Sequence, residues 1–499
     1  FLILSEMGSV NSARKKVLFP HPVVQTEYGF VEGKKVFSSD GNVINVFLGI
    51  PFAKPPVGNL RFEKPVKPDP WSTPRKCKKY RDMSIQFKLP MYGITKGRSE
   101  DCLYLNITAP DKPCHLKSGF PVMFYVHGGA FIMDSAINYP YQNLGRTLVR
   151  HDVIVVTTSY RLGLLGFFCT DDETAMGNYG IWDQVFALKF VYDNISKFGG
   201  DPENITVFGQ SAGGVSTDLL SILPMTKHMV KKIGVLGGNC ETIWGVYARS
   251  NMAKICQNSA TRLGFERVKT GKFTKIENSA MLLYLKSLPS SAFALSTSIG
   301  KVILKEMRLP VGPIVDGDLI PAPPYVLRED APRRPIIAGI TLHEGLVFGN
   351  HTFMNKIITT VYGSEAGISL NELKKAYGIT DLSIKDTKFI KKTIIQILDD
   401  STNNYALYNY AQSERKRGST YGNPNGDPRN PADLVLEKTI WEPVTEDYPE
   451  KHLRILPTPV QTDHFENRRC EKFGEFYSKY SRYICDPDIF KDGKYENGE

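Results

Sequence analysis

No two of the eight cysteines form a C-x-x-C pair, so the usual ligand spacing of a structural zinc site is missing. No run of about 18 apolar residues occurs, and no transmembrane helix is expected. A membrane-attached receptor would need such a span near its end, and 486–499 contains none. There is no internal repeat, low-complexity tract or long linker. The basic clusters, such as Arg75, Lys76, Lys78 and Lys79, lack interleaved aromatics on which bases could stack. The net charge of +10 (62 basic against 52 acidic residues) therefore reads as a solvated basic surface, and no nucleic-acid partner is expected. The chain begins at Phe1 rather than Met. Its opening FLIL fits the end of a signal peptide's apolar region, which four residues do not establish.

Hydrophobic residues make up 41% and charged residues 23% of the 499 positions, values that allow a sizeable core. Short apolar runs rich in β-branched residues read as buried strands: PVMFYV (121–126), VIVVTT (153–158), ITVF (205–208) and PIIAG (335–339). Between the second and third, Val185, Leu188, Val191 and Ile195 recur at helical spacing, which predicts an amphipathic helix over 182–198. Strands alternating with helices imply an α/β fold with a mainly parallel central sheet and helices on both faces. Residues 21–485 read as one domain, with polar tails at 1–20 and 486–499. Sequons begin at Asn106, Asn194, Asn204 and Asn350 and lend weak support to secretion or a secretory-pathway lumen.

The sharpest chemical signal is ITVFGQSAGG, Ile205 to Gly214. A strand runs into G-x-S-x-G with a helix expected beyond it, the setting of a nucleophile elbow. The tight turn strains the Ser211 backbone and needs small neighbours at Gly209 and Gly213, where strand and helix pass closely. Without that setting, the same five residues would be an ordinary glycine-rich turn. The second signal is YVHGGAF, Tyr125 to Phe131, also after a strand. The N–H groups of Gly128 and Gly129, with that of Ala212, could face a developing oxyanion, each donor being worth about 10²–10³ in rate. The alternative is a flexible strand-end turn. His127 precedes the serine, whereas this fold orders its triad Ser, acid, His, so His127 reads as a structural hydrogen-bonding residue.

FGGDPENITVFGQSAG (198–213) resembles the serine signature of the type-B carboxylesterase/cholinesterase family, and EDCLYLNI (100–107) resembles its second signature. GIPFAKPPVGNLRF (49–62), SYRLGLLGF (159–167) and GNYGIWDQVFAL (177–188) are similar to further family blocks. The resemblance covers roughly 22–480, and 316–348 is most similar to nematode gut esterases. It implies an α/β-hydrolase fold, a small-molecule carboxylic ester as substrate, and neither cofactor nor metal. It implies a Ser-Glu-His triad whose acid, in GITLHEG (339–345), is Glu344, placed at a strand end. It also implies a disulfide between Cys77 and Cys102, the alternative being two buried free thiols. Cys240 stands where relatives often have a small residue.

The family's histidine belongs to a G-x-x-H block. The resemblance places that block between a strand similar to STY (419–421) and a helix ending in GNPN (422–425). Here Tyr421 is joined directly to Gly422, so the rest of the strand, the histidine loop and most of the helix read as deleted. His452 and His464 lack the expected block. His343 adjoins Glu344, and neighbours in a strand point to opposite faces. The expectation is a serine ester hydrolase acting through an acyl-enzyme on Ser211, severely impaired in this chain by loss of its base. The alternative is a non-catalytic binding or adhesion relative. A contiguous loss with the other elements intact is what a splice variant or an incomplete gene model would leave.

Overall fold

The computed structural model describes residues 21–37, 41–87, 97–267, 271–294, 309–341 and 343–344. It also describes parts of 389–416 and short strands at 435–436, 439–440, 452–454 and 460–462. The Tyr421–Gly422 junction, His464, Asn350 and both tails lie outside the described residues.

Among the described residues eight strands form the main sheet: β1 (Lys34–Phe37), β2 (Val43–Pro51), β3 (Tyr104–Pro110), β4 (Phe120–Val126), β5 (Ile154–Thr158), β6 (Gly200–Gln210), β7 (Lys232–Leu236) and β8 (Ile336–Gly339). Their spatial order is β8-β7-β6-β4-β5-β3-β2-β1. The five strands from β8 to β5 are mutually parallel, and β3, β2 and β1 add on antiparallel. All four apolar runs read as strands lie in this parallel portion. β5 is buried at every position and reads as an unbroken β-branched run, as a strand covered on both faces should. β6 is longer than expected because it begins at Gly200, which pairs with Phe120 before a bulge, ahead of the regular pairing from Ile205.

The helices are α1 (Tyr141–Thr147), α2 (Gly163–Phe167), α3 (Tyr179–Asn194), α4 (Ala212–Ile222), α5 (Arg249–Arg262), α6 (Lys275–Ser287), α7 (Pro324–Glu329) and α8 (Tyr405–Lys416). α3 is not the amphipathic helix that its spacing suggested. Tyr179 to Val185 is buried without interruption, including the polar Asp183 and Gln184. The polar face is inside because Asp183 is neutralised there: Arg161 donates Nε and Nη2 to its two oxygens at 2.8 Å each, and Arg161 N donates at 2.9 Å. A paired carboxylate can occupy a core that would exclude a lone one.

The strand order reverses around β4, which sits between β5 and β6. In an open parallel sheet the crevice beyond the carboxyl ends of such strands is where ligands bind. Ser211 follows β6 directly and Gly128 follows β4 by one residue, so both candidate site segments emerge there.

Candidate active site

Ser211 adopts φ 57° and ψ −123°, a strained conformation for a residue with a side chain. Its N–H donates to Leu236 O at 2.8 Å, which ties the turn to the end of β7. α4 begins at the next residue, so the elbow is complete: strand, strained serine, helix. The small neighbours are necessary, as expected. A Cβ on Gly213 would stand 2.2 Å from Val126 O, and one on Gly209 would stand 2.3 Å from Gly213 O. Ala212 is fully buried and opens α4, so its N–H is one of the four that a helix leaves free.

Gly128 lies directly against the serine. A Cβ there would be 2.4 Å from Gln210 O and 3.3 Å from Ser211 Cβ. Gly129, at φ 88°, turns the chain back so that its carbonyl accepts from Ile132 N and Met133 N at 3.0 Å each. Among the described residues no group accepts from the N–H of Gly128 or Gly129. His127 is buried beneath this turn, stacked on Tyr160 at 4.4 Å, with Nδ1 3.1 Å from Gly128 O. Burial lowers its basicity and holds the ring neutral. Its surroundings are those of a turn support, as the chain order predicts. Sequence reasoning missed the other supports. Tyr160 Oη donates to His127 O at 2.9 Å. Asp134, at φ 81°, accepts from Ser135 N, Asn138 Nδ2 and Tyr139 Oη, while Gln86 grips its backbone on both sides.

Glu344 lies past β8 in a short turn rather than at the strand end itself. Its Oε1 accepts from Thr341 N at 2.7 Å and lies 3.3 Å from where a Cβ of Gly237 would be. Gly237 follows β7, the strand whose last carbonyl holds Ser211 N, and its own N–H donates to Gly339 O at 2.7 Å. Acid and elbow thus meet across the ends of β7 and β8. His343 turns away from Glu344, but not by strand alternation, because it sits in the same turn. Its Nδ1 faces Asp399 at 3.6 Å. Among the described residues no imidazole is bonded to Glu344. His452 opens a two-stranded antiparallel pair, Val460–Thr462 being its partner, so that stretch is a short strand.

The chain matches the carboxylesterase family over residues 20–422. It is 33% identical over 403 residues to esterase cest-33 of Caenorhabditis elegans, covering 77% of this chain and 70% of that protein. It is 34% identical over 355 residues to gut esterase 1 of Caenorhabditis briggsae, covering 71% of this chain and 58% of that protein. It is 36% identical over 335 residues to bile salt-activated lipase of Bos taurus, covering 65% and 53%. The chain belongs to the carboxylesterase family. Its fold is that of an α/β-hydrolase, and at the family level it is a carboxylic-ester hydrolase. It spans little more than half the length of the second and third of these relatives.

Other family blocks of this chain are structural pins. Arg61 of GNLRF forms a bidentate pair with Glu100 of EDCLYL at 2.6 and 2.7 Å and donates to the carbonyls ending α6. Asn178 of GNYG donates to Ile314 O and Asp316 Oδ2. A third pin has no motif. Arg328 on α7 pairs with Asp218 on α4 at 2.7 and 2.8 Å, meets Glu414 at 3.2 Å and Glu241 at 3.5 Å, and lies over the Tyr410 ring. It therefore ties the elbow helix to α8.

The Cys77–Cys102 disulfide implied by the resemblance is not formed. Both residues are buried free thiols, each facing a different partner. Cys77 Sγ faces Gly49 O at 3.8 Å and Cys102 faces the Ser84 hydroxyl. Burial pushes each thiol up to about 12. Two of the four sequons are also closed. Asn106 and Asn194 are buried, their amides spent on Gly49 N and Thr157, and on Glu27 N and Phe190 O.

Proposed function

We propose that this chain is a serine carboxylic-ester hydrolase in which Ser211 is the nucleophile and the general base is lost. The observation that carries this reading is the strained Ser211 at the mouth of the β4–β6 crevice with Gly128 against it. Ser211 Oγ would attack the ester carbonyl and form an acyl-enzyme that water then hydrolyses. The N–H groups of Gly128, Gly129 and Ala212 hold the oxyanion. Glu344 is the acid that would orient a histidine and stabilise its imidazolium. The direct joining of Tyr421 to Gly422, where the resemblance places the histidine block, supports the loss of the base. So does the end of the family match at residue 422, beside the Tyr421–Gly422 junction. No cofactor, metal or nucleic acid enters this reading. Secretory-pathway location belongs to it, with less support than four open sequons would have lent.

Loss of a triad histidine costs about 10⁶ in turnover, leaving about 10³–10⁴ over water from the oxyanion hole and binding. The test is hydrolysis of a short-chain aryl ester by the purified chain and by Ser211→Ala, with and without added imidazole. The reading expects slow turnover that imidazole accelerates in the native chain and not in the variant. Rapid turnover without imidazole, abolished in Ser211→Ala, would show that a base is present. Equal rates from both folded proteins under all conditions would favour the second reading, a binding or adhesion relative.

A further inference from the structure

Cys169 and Cys256 lie 87 residues apart in sequence and side by side in the core. Cys169 follows α2 and bridges to Met176, and Cys256 is midway along α5. Both are fully buried, and both are free thiols in this structure. Cys169 N donates to Cys256 Sγ at 3.4 Å, and the two thiols hydrogen-bond to one another. Their other contacts are weak: Cys256 Sγ to Phe167 O at 3.7 Å and Cys169 Sγ to Arg249 O at 4.0 Å. Among the described residues, neither Cys77 nor Cys102 is matched in this way to another sulfur. Thiols already in contact need only small side-chain rotations to reach the disulfide separation of about 2 Å.

We propose that Cys169 and Cys256 form a disulfide that cross-links the segment after α2 to α5. The oxidant is a low-molecular-weight disulfide such as oxidised glutathione. One protein thiolate attacks a glutathione sulfur and releases the first glutathione thiolate. The second protein thiolate attacks the mixed disulfide and releases the other. The two protein sulfurs are oxidised, one glutathione disulfide is reduced, and the two protons from the cysteines end on two glutathione thiols. The hydrogen bond with Cys256, and then burial, hold the Cys169 thiol well above its ordinary value, so exchange in the folded protein is slow. The bond is therefore set while the chain folds. Its placement bears on the candidate site: Phe167, two residues before Cys169, packs on Phe131 at 5.1 Å, and Phe131 closes the turn that carries Gly128 and Gly129.

The test is a non-reducing peptide map of the full chain refolded in a glutathione redox buffer, with free thiols alkylated after denaturation. The expected result is one linked pair containing Cys169 and Cys256, lighter by two hydrogens than its separate peptides and split by reductant. Reductant should also lower Tm by several degrees in this protein, and by less in a Cys169→Ser, Cys256→Ser double variant. Recovery of both residues fully alkylated, or either one linked to a different cysteine, would overturn the proposal without recourse to any variant.

Discussion

The segment from β4 to α4 and the segment beyond β8 both serve one crevice, yet they are built very differently. In the first, backbone meets backbone at distances that allow no Cβ. The turn after β4 is gripped from below by His127, Tyr160, Asp134 and Gln86. In the second, Glu344 is held by one backbone donor three residues away and by its position beside Gly237. A nucleophile and an oxyanion hole must be rigid to within fractions of an ångström. An acid that only orients a base can sit on a shorter, looser turn. The proposed loss of a block after β8 would thus be compatible with a complete elbow, because almost none of the elbow's supports come from that side. The exception is α8, joined to the elbow helix through Arg328.

That exception offers the strongest way to break the contrast. Arg328→Met would leave Asp218, Glu241 and Glu414 without their cation in the core, and should cost about 3–5 kcal/mol in urea unfolding. A cost below about 1 kcal/mol would mean that α8 is not docked on the elbow helix. Gly213→Ala should cost about 3 kcal/mol, since its Cβ would meet Val126 O at 2.2 Å and the elbow would have to open. A neutral result in the same assay would contradict the close approach of strand and helix.

Acidity offers a milder test. Burial raises the Glu241 carboxyl above its ordinary 4.5, with Arg328 opposing and Asp218 adding to the rise. The folded state then binds more protons than the unfolded state above pH 4.5, so this group's contribution to stability falls as pH rises from there. Asn409 donates to Glu241 Oε2 at 3.4 Å, and Glu414 meets the same Arg328. Glu241→Gln should flatten the dependence of the urea midpoint on pH above that value. An unchanged slope would place the titration elsewhere. The smallest effect is expected at Glu344→Gln, within about 0.5 kcal/mol of the native chain, because the amide can still accept from Thr341 N. A larger loss would show that the acid turn is as tightly built as the elbow.

Legibility in the sequence followed the range of the interactions. The four apolar runs and the Ser211 elbow depend on neighbours within a few residues, through side-chain periodicity and the sterics of φ and ψ. The spacing over 182–198 carries the helix but not its burial, because Arg161 lies outside any window that a periodicity count uses. The same limit hid Arg328, 110 residues from Asp218, and the meeting of Cys169 with Cys256. The sequons show the converse error. The triplets at Asn106 and Asn194 satisfy a local pattern, while burial by distant segments closes both amides.

The sequence by itself determined the parallel α/β class, the strained serine between two glycines and the glycine pair that precedes it, because each is a local backbone requirement. Only the tertiary structure decided how Glu344 reaches the elbow across β7 and β8, which carboxylates share Arg328, and which thiols face one another. Those pairings are chosen by packing, where burying a charge or a sulfur is favourable only beside the partner that the whole fold brings to it.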